Sequence, residues 1–304
     1  MNLTNLFISI VIPTYNRKES LKKCLKYIEK IDYPKNNFEV IIIDDGSNDG
    51  TEKMIREFIK KTLLKIEYFK QKNSGPARAR NEGIKKSRGE IIFFVDDDVL
   101  VPKNFIKKSL DLYKNKKIGG VGGNVLPKKL SWPDLYYIAR YLDEFNKNIK
   151  LKNSETEKGI STALCSYRKK AIEEVGGFDE SFPLAAGEDI DLTKRVLKNG
   201  WIIIKDKSIL GIHLRSETFL SVLKLKFKRM SGAVINDKKS NKDIKIYQIS
   251  RVVNQWKNFK SAKKEILKKD VSILDLIKFI YLTGALAIVS IIGSFYYKLK
   301  LIKK

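Results

Sequence analysis

The chain has 304 residues, of which 43% are apolar and 32% are charged, a composition that excludes both a disordered chain and a multi-span transporter. Lys and Arg outnumber Asp and Glu by 61 to 35, so the formal net charge is +26 and anionic partners are expected. Two cysteines, Cys24 and Cys165, are too few for a disulfide framework, and no CxxC spacing indicates structural zinc.

Strand and helix patterns alternate over the first 115 residues. Short apolar runs rich in β-branched residues predict four strands, at residues 7–12, 40–43, 65–69 and 91–95. Apolar stripes at helical spacing predict four helices, which include residues 21–28, 54–59, 77–86 and 105–113. This alternation favours a parallel sheet with helices on both faces.

Two local patterns carry finer predictions. Asn16, followed three residues later by Glu19, predicts a capping box at the start of the first helix. The glycine-rich run at residues 119–123 lacks the helix pattern and the Lys-Ser/Thr pair of a phosphate loop. We therefore expect these glycines to allow a close backbone approach at a strand.

Polar runs follow three of the predicted strands, at residues 13–17 (PTYNR), 44–47 (DDGS) and 96–98 (DDD). Ligands of doubly wound sheets bind at the carboxyl ends of the strands. Clustered carboxylates repel one another unless a cation compensates, and hard oxygen ligands suit Mg²⁺ or Mn²⁺. The DDD run therefore predicts a metal site, with a solvated loop as the alternative. The DDGS run has its own alternative, since this composition is common in turns.

The last third of the chain is strongly basic. Residues 219–304 contain 20 Lys and Arg but only 5 Asp and Glu, and they include the uncharged stretch 279–297. Its 19 residues are about the length that crosses a bilayer core, so we predict a membrane-associated segment. The alternatives for this segment are a single span, a re-entrant turn near residues 283–284 and a helix packed on the preceding part of the chain.

Six segments, taken in order, resemble the motifs of family 2 glycosyltransferases. They are residues 9–17 (SIVIPTYNR), 41–51 (IIIDDGSNDGT), 73–83 (NSGPARARNEG), 89–98 (GEIIFFVDDD), 176–180 (GGFDE) and 187–192 (GEDIDL). The resemblance implies an α/β fold of the GT-A (Rossmann-like) type, with a mixed, mostly parallel sheet flanked by helices. It also implies a nucleotide-sugar donor, Mn²⁺ or Mg²⁺, and transfer with inversion at the anomeric carbon.

The implied domain organisation follows the motifs. Residues 1–215 form the catalytic domain, with a nucleotide-sugar half at 1–115 and an acceptor half at 116–215. Residues 216–304 form a basic helical C-terminal region that contains the candidate membrane segment.

The resemblance also assigns the donor and metal residues. By position, the nucleotide-sugar residues are Pro13, Tyr15, Asp45, Arg80, Asp96 and Asp97. Asp45 falls where the family binds the base, and Asp96 falls on the ribose and metal side. Asp98 falls on the metal. Because Asp97 lies between Asp96 and Asp98, which two of the three aspartates contact the donor and the metal is open. His213, the single histidine, is a metal or diphosphate candidate.

Glu188 and Asp189 match the position of the family's catalytic base. A carboxylate is required there because the acceptor hydroxyl loses its proton as it attacks the anomeric carbon. We favour Asp189 over Glu188, since the resemblance places the base second. The alternative is that both acidic residues merely favour the start of the helix that follows.

The leading hypothesis is a metal-dependent inverting glycosyltransferase at the cytoplasmic face of the cell membrane. Its expected partners are a nucleotide-sugar donor, a lipid-linked or surface-glycan acceptor and the anionic membrane surface. A nucleotidyltransferase on a similar sheet is the alternative enzyme, but it gives Glu188 and Asp189 no role. A basic nucleic-acid-binding protein would fit the charge, but acidic strand ends repel phosphate, so no nucleic acid is expected.

Overall fold

The computed structural model describes most of the predicted catalytic domain and little of the C-terminal region. The described residues are 6–128, 149–151, 159–182, 186–215 and 218–224, with the single residues 227, 230, 235, 285, 288 and 292. Apart from its three single residues, the predicted membrane segment at 279–297 lies outside them. In the part of the chain that is described, no helix is long and apolar enough to cross a membrane.

Contacts divide the chain into two units. The first comprises Met1–Leu126, Lys147–Pro183 and Glu188–Leu214, and it contains the sheet and every residue assigned above to the donor, metal or base. The second comprises Pro127–Asn146, Leu184–Gly187 and Arg215–Lys304.

Strands and helices alternate in the first half of the first unit, as the sequence predicts. The strands among the described residues are β1 (Ile8–Thr14), β2 (Phe38–Asp44), β3 (Lys65–Lys70), β4 (Ile91–Val95), β5 (Val99–Leu100), β6 (Ile118–Pro127), β7 (Ile149–Leu151), β8 (Leu164–Arg168) and β9 (Ile202–His213). The helices are α1 (Lys18–Ile28), α2 (Thr51–Ile59), α3 (Pro76–Lys86), α4 (Phe105–Tyr113), α5 (Lys169–Glu173) and α6 (Glu188–Lys198).

All of these strands belong to one sheet with the order β3-β2-β1-β4-β8-β6-β9-β5, and β7 pairs with β9. β1 pairs in parallel with both β2 and β4, and β2 pairs in parallel with β3. β8 is antiparallel to β4, and β5 is antiparallel to β9. The predicted α/β fold with a mixed sheet flanked by helices is confirmed. Its parallel part brings the carboxyl ends of β1, β2 and β4 to the same edge.

The central strands are buried because apolar residues cover both of their faces. Every residue of β2 and β4 is buried, and the predicted stripe of α1 is buried against the sheet; it comprises Leu21, Cys24, Leu25 and Ile28. Full burial of one such aliphatic side chain stabilises a fold by about 1.5–3 kcal/mol. The sheet is therefore a rigid support for the polar residues at its strand ends.

The glycine run in β6 confirms the predicted close approach. A Cβ atom on Gly120 would lie 2.8 Å from the ring of Tyr167 in β8, and one on Gly122 would lie 2.4 Å from Ile160. Only glycine therefore allows these side chains to pack directly on the β6 backbone.

The predicted capping box is wrong. Arg17, not Asn16, is the N-cap of α1, and it makes no side-chain capping bond. Asn16 adopts a left-handed φ of 51°, and its side-chain oxygen accepts a hydrogen bond from the backbone N–H of Asn48. The tertiary partner in the neighbouring loop replaces the local capping bond.

Candidate active site

Two buried carboxylates lie where the ends of β1 and β4 meet. Asp97 accepts a hydrogen bond of 2.6 Å from the Thr14 hydroxyl and one of 3.1 Å from Arg17 Nη1. The same Arg17 nitrogen donates to Asp98 Oδ2 at 2.5 Å. Asp97 and Asp98 have 5% and 7% of their side chains exposed, so their charges interact strongly with this guanidinium.

His213 lies beside Asp98 because β5 and β9 are paired. Val99, the residue after Asp98, is opposite His213 in this antiparallel pair. His213 Nε2 is 3.4 Å from Asp98 Oδ1, whereas Arg17 donates to the other carboxylate oxygen, Oδ2. The sequence-predicted metal candidates Asp98 and His213 are therefore neighbours, although 115 residues separate them.

The donor set formed by Asp98 and His213 fits a divalent cation. Carboxylate oxygen suits Mg²⁺ and Mn²⁺, and imidazole nitrogen is a common ligand of first-row transition-metal ions. No group of three or more His, Cys, Asp and Glu side chains is arranged around one point within the described residues. Two protein ligands would thus leave further positions on the ion for water or for a phosphorylated ligand.

Arg80 joins the end of β4 to the start of α6. Its Nη2 donates to Asp96 Oδ1 at 3.0 Å, and its Nη1 donates to Glu188 Oε1 at 2.9 Å. Arg80 and Glu188 are each only 4% exposed, whereas Asp96 is 33% exposed. Within the described residues, neither Arg80 Nε nor Glu188 Oε2 has a hydrogen-bond partner. These atoms leave a buried donor and a buried acceptor for water or a bound molecule.

The segment at residues 176–180 packs against Arg80 through the ring of Phe178. Asn81 accepts a hydrogen bond from the backbone N–H of Phe178 and donates to the Phe178 carbonyl, both at 2.8 Å. This places the Phe178 ring 5.7 Å from the Arg80 guanidinium, a cation–π distance. Two of the sequence motifs thus form one packed unit.

Glu188 and Asp189 begin α6 in different surroundings. Glu188 is buried, and burial together with the neighbouring Asp189 charge raises the pKa of Glu188 to about 7, while Arg80 opposes that increase. Asp189 is half-buried, and its Oδ1 accepts a hydrogen bond of 2.9 Å from the Ile190 N–H. Of the two carboxylates, Asp189 is the more accessible to a substrate.

The nucleotide candidates at the ends of the first two strands are Pro13, Tyr15 and Asp45. Asp45 accepts hydrogen bonds from the Gln71 side chain and from the backbone N–H groups of Ser74 and Gly75, at 2.7 to 2.9 Å. Tyr15 is 48% exposed, and Pro13 is half-buried. Asp45 therefore fixes the loop between β3 and α3, and Tyr15 presents an open ring face.

Three residues of this site were not assigned from the sequence: Thr14, Arg17 and Phe178. Thr14 and Arg17 stand within the PTYNR run, and Phe178 stands within GGFDE. The motifs contained them, but their roles depend on partners 80 or more residues away, which no local pattern indicates.

Stability should depend on pH through Asp97. Burial raises the pKa of Asp97 from 3.8 to about 7, although Arg17 and Thr14 oppose this. The folded protein then holds a proton that the unfolded chain releases above about pH 4, so the free energy of unfolding should fall as pH rises from 4 to 7. Each pKa unit corresponds to about 1.4 kcal/mol.

In urea titrations at pH 5 and pH 8 with EDTA present, Asp97→Asn should remove the part of this dependence that comes from Asp97. The part that comes from Glu188, whose pKa is also raised to about 7, should remain. Asp111→Asn, an exposed change on α4, is the matched control and should leave the whole dependence unchanged. Equal losses of stability between pH 5 and pH 8 in wild type and Asp97→Asn would contradict this prediction.

A mixed, mostly parallel sheet flanked by helices, with acidic side chains at its strand ends, is the architecture of the GT-A class of transferases. The solved structure of the mannosyltransferase PcManGT from Pyrobaculum calidifontis, in complex with GDP-Man and Mn²⁺, superposes with a TM-score of 0.69 at 16% identity. The alignment covers 96% of this chain and 88% of that one. At this identity the likeness establishes the fold alone.

The chain belongs to glycosyl transferase family 2, whose model matches residues 9–176, and it is a glycosyltransferase. Glycosyltransferase AglE of Haloferax volcanii is 29% identical over 235 residues, which are 77% of this chain and 75% of AglE. The poly(ribitol-phosphate) beta-N-acetylglucosaminyltransferase TarS of Staphylococcus aureus is 31% identical over 129 residues, 40% of this chain. That match spans 22% of TarS.

Proposed function

We propose that the protein transfers a sugar, with inversion, from a nucleotide-sugar donor to an acceptor hydroxyl, and that it requires Mn²⁺ or Mg²⁺. The observation that carries this proposal is the Arg80 bridge between Asp96 and Glu188. Through one guanidinium it holds the acidic end of β4, assigned to donor and metal, next to the start of α6, assigned to the base. The residues assigned to the leaving diphosphate and the residue assigned to the acceptor hydroxyl are therefore neighbours, as attack on an anomeric carbon from the opposite side requires.

Asp189 serves as the general base. The acceptor oxygen forms a bond to the anomeric carbon, the bond from that carbon to the diphosphate breaks, and the acceptor proton passes to Asp189. Glu188 is unsuited to this role because it is buried and its Oε1 is bound by Arg80. Glu188 instead fixes the position of Asp189 by anchoring the first turn of α6.

Asp98 and His213 would hold the divalent ion, which offsets the charge that develops on the departing nucleoside diphosphate. Tyr15 and Pro13 line the nucleotide site. Asp45 contacts the base: its three protein donors use three of about four acceptor positions on a carboxylate, and one on Oδ2 remains for a base N–H.

The acceptor is a lipid-linked or surface glycan, and the protein acts at the cytoplasmic face of the cell membrane. The support is the basic composition of residues 219–304 and the apolar stretch within them. TarS acts, by its name, on poly(ribitol-phosphate), which is a polymeric acceptor rather than a small molecule.

A donor screen tests the proposed reaction. The full chain is incubated with a set of nucleotide sugars, with Mn²⁺, with Mg²⁺ or with EDTA, and release of nucleoside diphosphate is measured. We expect release from one or a few donors, dependent on the metal. Release that is unaffected by EDTA would contradict the metal requirement, and no release or binding with any donor would contradict the donor class.

Deletion of residues 271–304 tests the membrane proposal. The deletion leaves every residue assigned to donor, metal and base in place, so the shortened protein should fold and bind nucleoside diphosphate with Mn²⁺. It should move from the membrane fraction to the soluble fraction, and transfer to a lipid-linked acceptor should fall more than donor hydrolysis. A full-length protein that is soluble and monomeric without detergent would contradict the membrane proposal.

A further inference from the structure

Arg17 makes an unusual contact with the acidic end of β4. A single nitrogen, Nη1, donates to Asp97 at 3.1 Å and to Asp98 at 2.5 Å. Both carboxylates are nearly buried, so without a nearby positive charge their mutual repulsion would be large. Arg17 therefore supplies the counter-charge that this pair requires.

The position of Arg17 conflicts with a bound divalent cation. Asp98 Oδ1 faces His213 and Asp98 Oδ2 contacts Arg17, so an ion held by Asp98 and His213 would share one carboxylate with the guanidinium. Two positive charges on one mostly buried carboxylate repel each other, and this repulsion is weakly screened because the carboxylate is shielded from water.

The backbone around Arg17 is fixed, so relief must come from its side chain. The N–H of Asn16 donates to Ser47 Oγ at 2.8 Å, and the N–H of Lys18 donates to Asp49 Oδ2 at 2.9 Å. The Arg17 side chain is 41% exposed, in contrast to the two aspartates it contacts. It can therefore turn from Asp98 toward solvent without disturbing the loop or α1.

We propose that Arg17 is an exchangeable internal cation that occupies Asp98 until a divalent ion and a nucleoside diphosphate bind together. This inference rests on the proposed function. Metal binding alone places two cations on Asp98, and an Arg17 side chain that turns away from Asp98 gains no new partner. When the diphosphate is also present, the released Arg17 contacts its phosphate oxygens in a charge-assisted hydrogen bond.

Arg17 thus makes the binding of metal and nucleotide cooperative. Coupling between two ligands is reciprocal, so the nucleoside diphosphate should tighten Mn²⁺ binding by the same factor by which Mn²⁺ tightens nucleotide binding. Arg17 acts here as a positioning residue, because its effect on Asp98 controls when the metal site is open.

The test compares wild type, Arg17→Gln and Lys18→Gln by titration calorimetry. Mn²⁺ is titrated alone and at saturating GDP or UDP, and each nucleotide is titrated with and without Mn²⁺. Lys18→Gln removes the same charge one residue away, from a side chain whose one ion pair among the described residues is a 3.9 Å contact with Glu19. It serves as the matched control for the change in net charge.

We expect Arg17→Gln to bind Mn²⁺ alone about tenfold more tightly than wild type and to lose most of the coupling between Mn²⁺ and nucleotide, which typically amounts to about 5–150-fold. Lys18→Gln should behave as wild type. Arg17→Lys keeps the charge, and with it the compensation that folding needs, but a single ammonium lacks the planar fork of Arg. Its coupling factor should be intermediate.

Unchanged or weaker Mn²⁺ binding by Arg17→Gln, or wild-type coupling in either Arg17 variant, would overturn this inference. Such a result would leave the proposed function intact, since wild type would still bind metal and nucleotide. Wild-type protein that binds none of the nucleoside diphosphates of the donor screen at any Mn²⁺ concentration would contradict both the proposed function and the role of Arg17.

Discussion

Replacing Asp189 by Asn is expected to lower the turnover number about 10²–10⁴-fold, the usual contribution of a positioned general base. Asparagine keeps the shape of the side chain and can still accept the hydrogen bond from the Ile190 N–H, so α6 should begin as it does in wild type. It cannot accept the proton of the acceptor hydroxyl. The measurement is steady-state transfer, with the donor identified by the screen, at saturating donor and acceptor.

Two measurements distinguish the loss of a general base from a loss of structure: the affinity for nucleoside diphosphate and the activity of a variant at the neighbouring Glu188. Affinity for nucleoside diphosphate should be nearly unchanged in Asp189→Asn, because the proposed base would act on the acceptor and not on the donor. Glu188→Gln is the matched control: it removes a carboxylate one residue away but retains a side-chain oxygen for Arg80. If Glu188→Gln were the inactive variant and Asp189→Asn stayed active, the assignment of the base would be wrong.

Replacing Asp98 by Ala is expected to abolish turnover and the Mn²⁺-dependent part of nucleoside diphosphate binding. Asp98 supplies the carboxylate that lies 3.4 Å from His213 Nε2, and alanine leaves His213 without that second ligand. The fold should persist, because the change removes a charged group at a strand end and no apolar side chain from the core. Titration calorimetry with and without Mn²⁺ measures the loss directly.

The neighbouring Asp96 provides a comparison for this test. Asp96→Ala removes the partner of Arg80 Nη2 but leaves the pair of Asp98 and His213 intact, so part of the metal dependence should survive. Nucleoside diphosphate affinity in Asp98→Ala that still responds to Mn²⁺ as in wild type would exclude Asp98 as a metal ligand. Circular dichroism and a thermal melt of each variant establish that it is folded.

The strand and helix pattern of the first half could be predicted from the sequence because burial has a local period. β4 contains five consecutive buried apolar residues, and the stripe of α1 has the spacing of one helical face. The motifs placed Asp96, Asp98 and Asp189 at an end of a strand or helix. A sheet with parallel strands then brings such strand ends to one edge, whatever the details of packing.

The antiparallel part of the sheet could not be predicted in the same way. β8 pairs with β4 although 68 residues separate the end of one from the start of the other, and the glycine run of β6 gives no strand period. Its role became clear only when Tyr167 and Ile160 were placed against Gly120 and Gly122. The order of the strands depends on which strand surfaces pack together, and the local periodicity of the sequence does not indicate this.

The sequence by itself determined which residue types stand at the strand ends and therefore the class of chemistry. Only the tertiary structure decided how they are paired. Arg80 reaches Glu188 across 108 residues, and Arg17 reaches Asp98 across 81. These pairs form because buried charges are stable only beside opposite charges, and folding brings together partners that are far apart along the chain. The difference between Glu188 and Asp189 arises in the same way, since the buried Arg80 donates its hydrogen bond to Glu188, which is the more buried of the two carboxylates.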